Sequence, residues 1–138
     1  MKKLSIFYLF ILLSFTSFGQ GLRNEVVVKT KIFEVLYSEV LQQPLWLIYE
    51  STNRPTNVNR GSMDFYTEKD VKTSDAADYK SNVYDKGHLA PAATFSDSME
   101  NLKQTFTYLN CALQDQYMNR GEWRLLEEQE RKWDDLEN

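Results

Sequence analysis

The sequence is poor in the residues that form cross-links and metal cages. Its 138 residues include one cysteine, one histidine, three prolines and five glycines. A single cysteine, Cys111, excludes a disulfide within the chain. One cysteine and one histidine, His88, also cannot complete the closed ligand shell of a structural zinc site. We expect Cys111 to be a buried apolar thiol, with a disulfide to a second chain as the alternative.

The chain also lacks an excess of positive charge. Its 16 Lys and Arg residues are outnumbered by 20 Asp and Glu residues, which gives a net charge of −4. Proteins that hold nucleic acid by bulk charge carry a basic face, so this composition argues against that mode of binding. Any chemistry on nucleic acid would depend on a few locally placed Arg and Lys side chains.

Residues 1–20 have the layout of a secretory signal peptide. Lys2 and Lys3 precede an apolar run that turns small and polar before Gly19. The alternative is a membrane anchor, but the run is shorter than the roughly 20 apolar residues of a membrane span. We therefore predict a secreted or periplasmic protein without stable membrane association after cleavage. Residues 21–138 are long enough for a single domain.

Three segments of the chain have the composition of β-strands. Residues 25–39 are apolar and β-branched with partial alternation, which predicts a strand broken near Lys31. Residues 44–51 predict a second strand, which a turn-rich loop ends. Residues 62–68 predict a third, shorter strand.

Two later segments predict helices. Residues 97–110 have helical apolar spacing and an N-cap candidate in Asp97 or Ser98. Residues 119–138 have the strongest helical pattern in the chain, with Asn119 where an N-cap would lie. We expect three apolar side chains of this second helix to face the core, namely Trp123, Leu126 and Trp133.

Residues 84–91, with the sequence YDKGHLAP, contain the sole histidine. Imidazole titrates near neutrality, so His88 is the default candidate for a general base. Asp85 is the nearest acid and Lys86 the nearest cation, while Gly87 permits a tight turn close to a substrate. The alternative is a structural or surface histidine beside a turn.

Four residues of the predicted second helix recur at intervals of four: Asn119, Trp123, Glu127 and Arg131. At 3.6 residues per turn, such residues form one slowly winding stripe. The stripe could present an amide oxygen, a carboxylate and a guanidinium to one cleft. The alternative is a helix cap followed by an i,i+4 ion pair on a solvated face.

Two stretches together resemble the DNA/RNA non-specific endonucleases, the ββα-metal nucleases of the sugar-non-specific nuclease and endonuclease G type. They are YDKGHLAPAATF and LNCALQDQYMNRGEWRLLEEQERKW. They match the family's Asp-Arg-Gly-His motif and its Asn-x-Gly-x-Trp motif, and His88 and Asn119 lie 31 residues apart, as the family requires. The resemblance is strongest over residues 83–133 and weaker over 44–50. It implies an α+β fold: a ββα-metal (His-Me finger) core of antiparallel strands and a metal-site helix, lacking the family's C-terminal part.

The resemblance also implies roles for single residues. His88 matches the general base that takes a proton from the attacking water. Asn119 matches the one protein ligand of a Mg²⁺ or Mn²⁺ ion, and Glu127 matches an acid that holds a water of that ion. Arg131 matches a cation near the scissile phosphate.

Four further positions match the family less closely. Asp85 is expected to orient the loop or its cation. Lys86 replaces the family's arginine, which keeps the charge but loses the bidentate grip on phosphate, so we expect reduced activity. Arg60 is a candidate for the upstream arginine that binds phosphate. The role of Asn110 stays open.

The resemblance thus implies a metal-dependent non-specific endonuclease that hydrolyses phosphodiester bonds of DNA and RNA. One alternative is a truncated, inactive, nuclease-like binding module, because family members usually continue beyond the metal helix. Another is an enzyme that acts on small phosphodiesters. Dimers are common in the family, so a homodimer is an alternative to a monomer.

Overall fold

The computed structural model describes residues 24–52 and 57–136. The predicted signal peptide, residues 1–20, lies outside these ranges. No helix within the described ranges combines the length and apolar character needed to cross a membrane.

The first half of the chain forms a three-stranded antiparallel sheet in the order β1–β2–β3. Its strands are β1 (Glu25–Lys29), β2 (Phe33–Ser38) and β3 (Gln43–Tyr49). The predicted break near Lys31 is confirmed, since the chain turns between β1 and β2. On the central strand β2, alternate side chains are buried and form the centre of the core: Phe33, Val35 and Tyr37.

The second half contains a two-stranded antiparallel sheet of β4 (Tyr84–His88) and β5 (Cys111–Asp115). Helix α1 (Met99–Thr105) and a 3₁₀ turn (Tyr108–Asn110) connect the two strands. The Ser98 side chain accepts a hydrogen bond from a backbone N–H of α1, which confirms one of the two predicted N-caps. The strand predicted over residues 62–68 is reduced to one isolated bridge, between Tyr66 and Thr107.

Strand β5 continues directly into the C-terminal helix. This helix consists of α2 (Gln116–Met118), a π-helical stretch (Asn119–Trp123) and α3 (Arg124–Leu136). The prediction that Asn119 is the N-cap was wrong. The Asp115 carboxylate accepts hydrogen bonds from two backbone N–H groups of α2, so the helix begins one turn earlier.

The C-terminal helix buries none of its residues. Trp123 is half-buried, but Leu126 is 43% exposed and Trp133 is 53% exposed, so the prediction that these two face the core was wrong. The buried face of the first sheet is already covered, by Ala90, Phe95 and Leu109. The contact of the helix with the first sheet is at the end of β3, where the Tyr49 hydroxyl donates to Glu130 at 2.6 Å.

Cys111 lies in the interior as a free thiol, as predicted. Its sulfur is 3.2 Å from the Tyr79 hydroxyl oxygen. Burial raises the pKa of the thiol to about 12, so Cys111 is protonated and unreactive at neutral pH.

Candidate active site

Strand β4 distributes the YDKGH residues between its two faces. Side chains alternate along a strand, so Asp85 and Gly87 share one face and Lys86 and His88 share the other. Gly87 lies within the strand, so the predicted tight turn there was wrong. A Cβ at this position would lie 2.0 Å from Oε1 of buried Gln114, hence glycine is needed for close packing of β4 on β5.

The Asp85 face connects β4 to the C-terminal helix by three hydrogen bonds. Nδ2 of Asn119 donates to Asp85 Oδ2 at 3.0 Å, and Arg120 donates to both carboxylate oxygens at 2.8 and 2.6 Å. These bonds, Arg120 first and Asn119 second, lower the pKa of Asp85, so it is a carboxylate at neutral pH. The bond to Nδ2 also orients the Asn119 amide and leaves its oxygen, Oδ1, as the remaining acceptor.

This arrangement fits a hydrated divalent cation. Across residues 24–52 and 57–136, no group of three or more His, Cys, Asp and Glu side chains could form an all-protein cage. Amide and carboxylate oxygens are ligands that Mg²⁺ accepts, and Mg²⁺ usually keeps several waters. Asn119 Oδ1, oriented by Asp85, can therefore supply one ligand to an ion that is otherwise hydrated.

The opposite face of β4 places His88 against aromatic rings. Its imidazole lies 4.7 Å from the Phe65 ring and 4.9 Å from the Phe106 ring, centroid to centroid. Its Nε2 atom is buried and has no hydrogen-bond partner in the described part of the chain. Burial, and secondarily the positive charge of Arg60, lowers the pKa of His88 to about 4. The imidazole is therefore neutral at pH 7 and able to accept a proton.

Trp123 provides a further contact between β4 and the C-terminal helix. Its indole Nε1 donates to the backbone carbonyl of His88 at 3.0 Å. Together with the Asp85–Asn119 bond, this contact holds the helical segment that carries Asn119 against the strand that carries His88. Trp123 was predicted to face the core, and no local pattern indicated that its N–H would bond to the strand.

Lys86 and Arg60 lie beside the two aromatic rings that contact His88. Nζ of Lys86 is 5.9 Å from the Phe65 ring centroid, and the Arg60 guanidinium carbon is 5.2 Å from that of Phe106. Sequence reasoning missed the two aromatic side chains and also Asp64, whose Oδ1 is 2.9 Å from Lys86 Nζ. Nothing in the spacing along the chain marked these three residues.

Glu127 and Arg131 lie farther along the helix, on α3. Burial raises the pKa of Glu127, and the nearby Arg131 opposes that rise. The Nη1 atom of Arg131 is buried without a hydrogen-bond partner among the described residues. The Glu127 side chain also interacts with Trp123, whose indole donates to the carbonyl of His88, so Glu127 lies beside the link between helix and strand.

The Asn110 side chain has a structural role, because it bonds to backbone groups. Its Oδ1 accepts from the backbone N–H of Ala90 at 2.7 Å, and its Nδ2 donates to the carbonyls of Ala90 and Thr105, both at 2.9 Å. The amide is buried and engaged at both ends. It therefore fixes the backbone that follows His88.

Comparisons with known proteins place this chain in one family. Residues 14–138 match the family model for DNA/RNA non-specific endonuclease. Mitochondrial endonuclease G of Bos taurus is 31% identical over 119 residues, which is 80% of this chain and 39% of that protein. A chain in the crystal structure of the EndoG/EndoGI complex, a study of EndoG inhibition, superposes with a TM-score of 0.70 at 26% identity. That match covers 79% of this chain and 48% of the other.

Two conclusions follow from these matches. The predicted α+β fold with a ββα core is confirmed. The chain spans less than half the length of either of these relatives.

Proposed function

Because the chain belongs to the DNA/RNA non-specific endonuclease family, we propose that it is a metal-dependent endonuclease that hydrolyses DNA and RNA. The observation that carries the proposal is the double link between β4 and the helix. Asp85 bonds to Asn119, and Trp123 bonds to the carbonyl of His88. In the proposal, the phosphate binds where β4 and the helix meet, with His88 as the neutral base and Asn119 as the ligand of the ion.

In the proposed reaction, His88 accepts a proton from a water molecule whose oxygen attacks the phosphorus. The bond from phosphorus to the 3′ oxygen breaks, which leaves a 5′-phosphate. Lys86 and Arg60 are proposed to pair with non-bridging phosphate oxygens, and contacts to phosphate rather than to bases give little sequence preference.

A Mg²⁺ or Mn²⁺ ion would be held by Asn119, with Glu127 acting through a water molecule. When bound, the ion supplies positive charge that stabilises the phosphate and the leaving 3′ oxygen. Arg131, beside Glu127 on α3, is proposed to add a cation near the same phosphate.

The proposed location is outside the cell or in the periplasm, on the basis of the leader-like residues 1–20. The proposed partners are DNA and RNA as substrates. A second copy of the chain is the alternative to a monomer, and sedimentation of the purified protein distinguishes the two.

The test is cleavage of plasmid DNA and of RNA by protein expressed from the full sequence. We expect cleavage with Mg²⁺, none with EDTA, and a loss of roughly 10²- to 10⁴-fold in His88→Ala. A folded protein that cleaves neither substrate would instead be an inactive, nuclease-like binding module. Cleavage of bis(p-nitrophenyl) phosphate without cleavage of plasmid would indicate an enzyme for small phosphodiesters.

A further inference from the structure

The ammonium group of Lys86 forms an ion pair with a carboxylate in this structure. Asp64 Oδ1 lies 2.9 Å from Lys86 Nζ. The Lys86 side chain is only 24% exposed, whereas that of Asp64 is 72% exposed. The Asp64 carboxylate therefore covers the cation on its solvent side, where a phosphate would approach.

Asp64 also interacts with the second cation beside the site. A hydrogen bond from Lys86 is the largest cause that lowers the pKa of Asp64, and the charge of Arg60 contributes as well. Asp64 is therefore an anion between two groups that are placed to bind phosphate. A phosphate that engages Lys86 must displace Asp64 or share the ammonium with it.

The base is not part of this competition. Burial and Arg60 are the causes of the depressed pKa of His88, and Asp64 is not among them. The other face of β4 is separate too, because Asp85 bonds to Arg120 and Asn119. A change at Asp64 should therefore alter affinity for phosphate without altering the basicity of His88 or the orientation of Asn119.

We propose that Asp64 competes with the substrate phosphate for Lys86 and so lowers the affinity of the site for nucleic acid. The inference rests on the proposed function, since it takes Lys86 as a phosphate-binding group. Binding exchanges one exposed ion pair for another and returns Asp64 to water, at a small cost.

The test measures binding apart from cleavage. Anisotropy of a fluorescein-labelled single-stranded oligonucleotide is recorded in EDTA at low salt, for the unaltered chain and for Asp64→Asn. We expect Asp64→Asn to bind about two- to fivefold more tightly, the range expected for an exposed ion pair. Asp70→Asn is the matched control, because it removes the same charge from an exposed aspartate outside the cluster. It should change binding less.

A double-mutant cycle shows whether the effect passes through Lys86. In a Lys86→Ala background, Asp64→Asn should no longer tighten binding. The inference is overturned by an equal gain in that background, which would mean general charge repulsion. It is overturned equally by weaker or unchanged binding in Asp64→Asn, which would make Asp64 a positioning residue for Lys86, and by no binding in either chain.

Cleavage assays separate this inference from the proposed function. In an active chain, Asp64→Asn should lower KM and leave kcat unchanged. Tighter binding without any cleavage would support the competition and contradict the nuclease proposal. Normal cleavage without the gain in affinity would contradict the competition alone.

Discussion

The side chains on the two faces of strand β4 are held in position by different interactions. On one face, three hydrogen bonds hold Asp85 to Asn119 and Arg120, so the charge of its carboxylate is paired within the protein. On the other face, His88 lies among aromatic rings and its Nε2 has no partner in the described part of the chain. The first face orients a ligand, and the second keeps a base neutral by removing it from water. One strand can do both because its side chains alternate.

Among changes that keep His88, the largest effect should come from breaking the hydrogen-bonded face. Asp85→Asn removes the charge that holds Arg120 and the strong acceptor that orients Asn119. We expect a fall of about 10- to 100-fold in metal-dependent cleavage, as for other residues that orient a metal ligand. The fall should shrink as Mg²⁺ is raised, which a titration of kcat/KM against Mg²⁺ measures. A loss independent of Mg²⁺ would show that Asp85 acts elsewhere.

A smaller effect is expected from crowding the same face at Gly87. In Gly87→Ala, the new methyl group would overlap Gln114, and overpacking of this kind costs about 1–3 kcal/mol of unfolding free energy. Gln114→Ala removes the side-chain atoms that the methyl group meets. Urea unfolding should therefore show a much smaller cost of Gly87→Ala in the Gln114→Ala background. An equal cost in both backgrounds would mean that Gln114 is not the obstacle.

The smallest effect is expected from a change on the aromatic face. It is measured as a shift in the pH dependence of kcat/KM. His88 accepts a proton only when neutral, and its pKa of about 4 keeps it neutral above that value. The acid limb of kcat/KM should therefore lie near pH 4. Phe65→Ala opens the imidazole to water, so its pKa should rise toward the ordinary 6.5 and the limb should move to higher pH.

Asp85→Asn is the control for this profile, since it lies on the other face and should leave the limb in place. A limb near pH 6.5 in the unaltered chain would show that burial by the aromatic rings does not govern the base.

Local patterns in the sequence predicted much of this molecule. Alternation of apolar residues predicted β1, β2 and β3, and the serine before an apolar period predicted the cap of α1 at Ser98. These strands and this cap depend on residues within a few positions of one another, where backbone geometry and spacing dictate the outcome. The roles of His88 and Asn119 came instead from the resemblance of two motifs to one family.

Contacts between distant segments could not be predicted in this way. The Lys86–Asp64 pair joins residues 22 positions apart, and the Trp123–His88 bond joins residues 35 apart. The start of the C-terminal helix was misplaced because both Asp115 and Asn119 are plausible caps. Only Asp115 lies at the end of β5 with free N–H groups within reach.

By itself, then, the sequence determined the first three strands, the presence of two helices and the family, and it pointed to the two residues on which the proposed chemistry depends. The tertiary structure decided which face each residue of β4 occupies, why Gly87 cannot carry a side chain, and which carboxylate meets Lys86. The physical reason is that strand register and helix placement are collective results of packing. A side chain's partner across space is set only when those elements are in position.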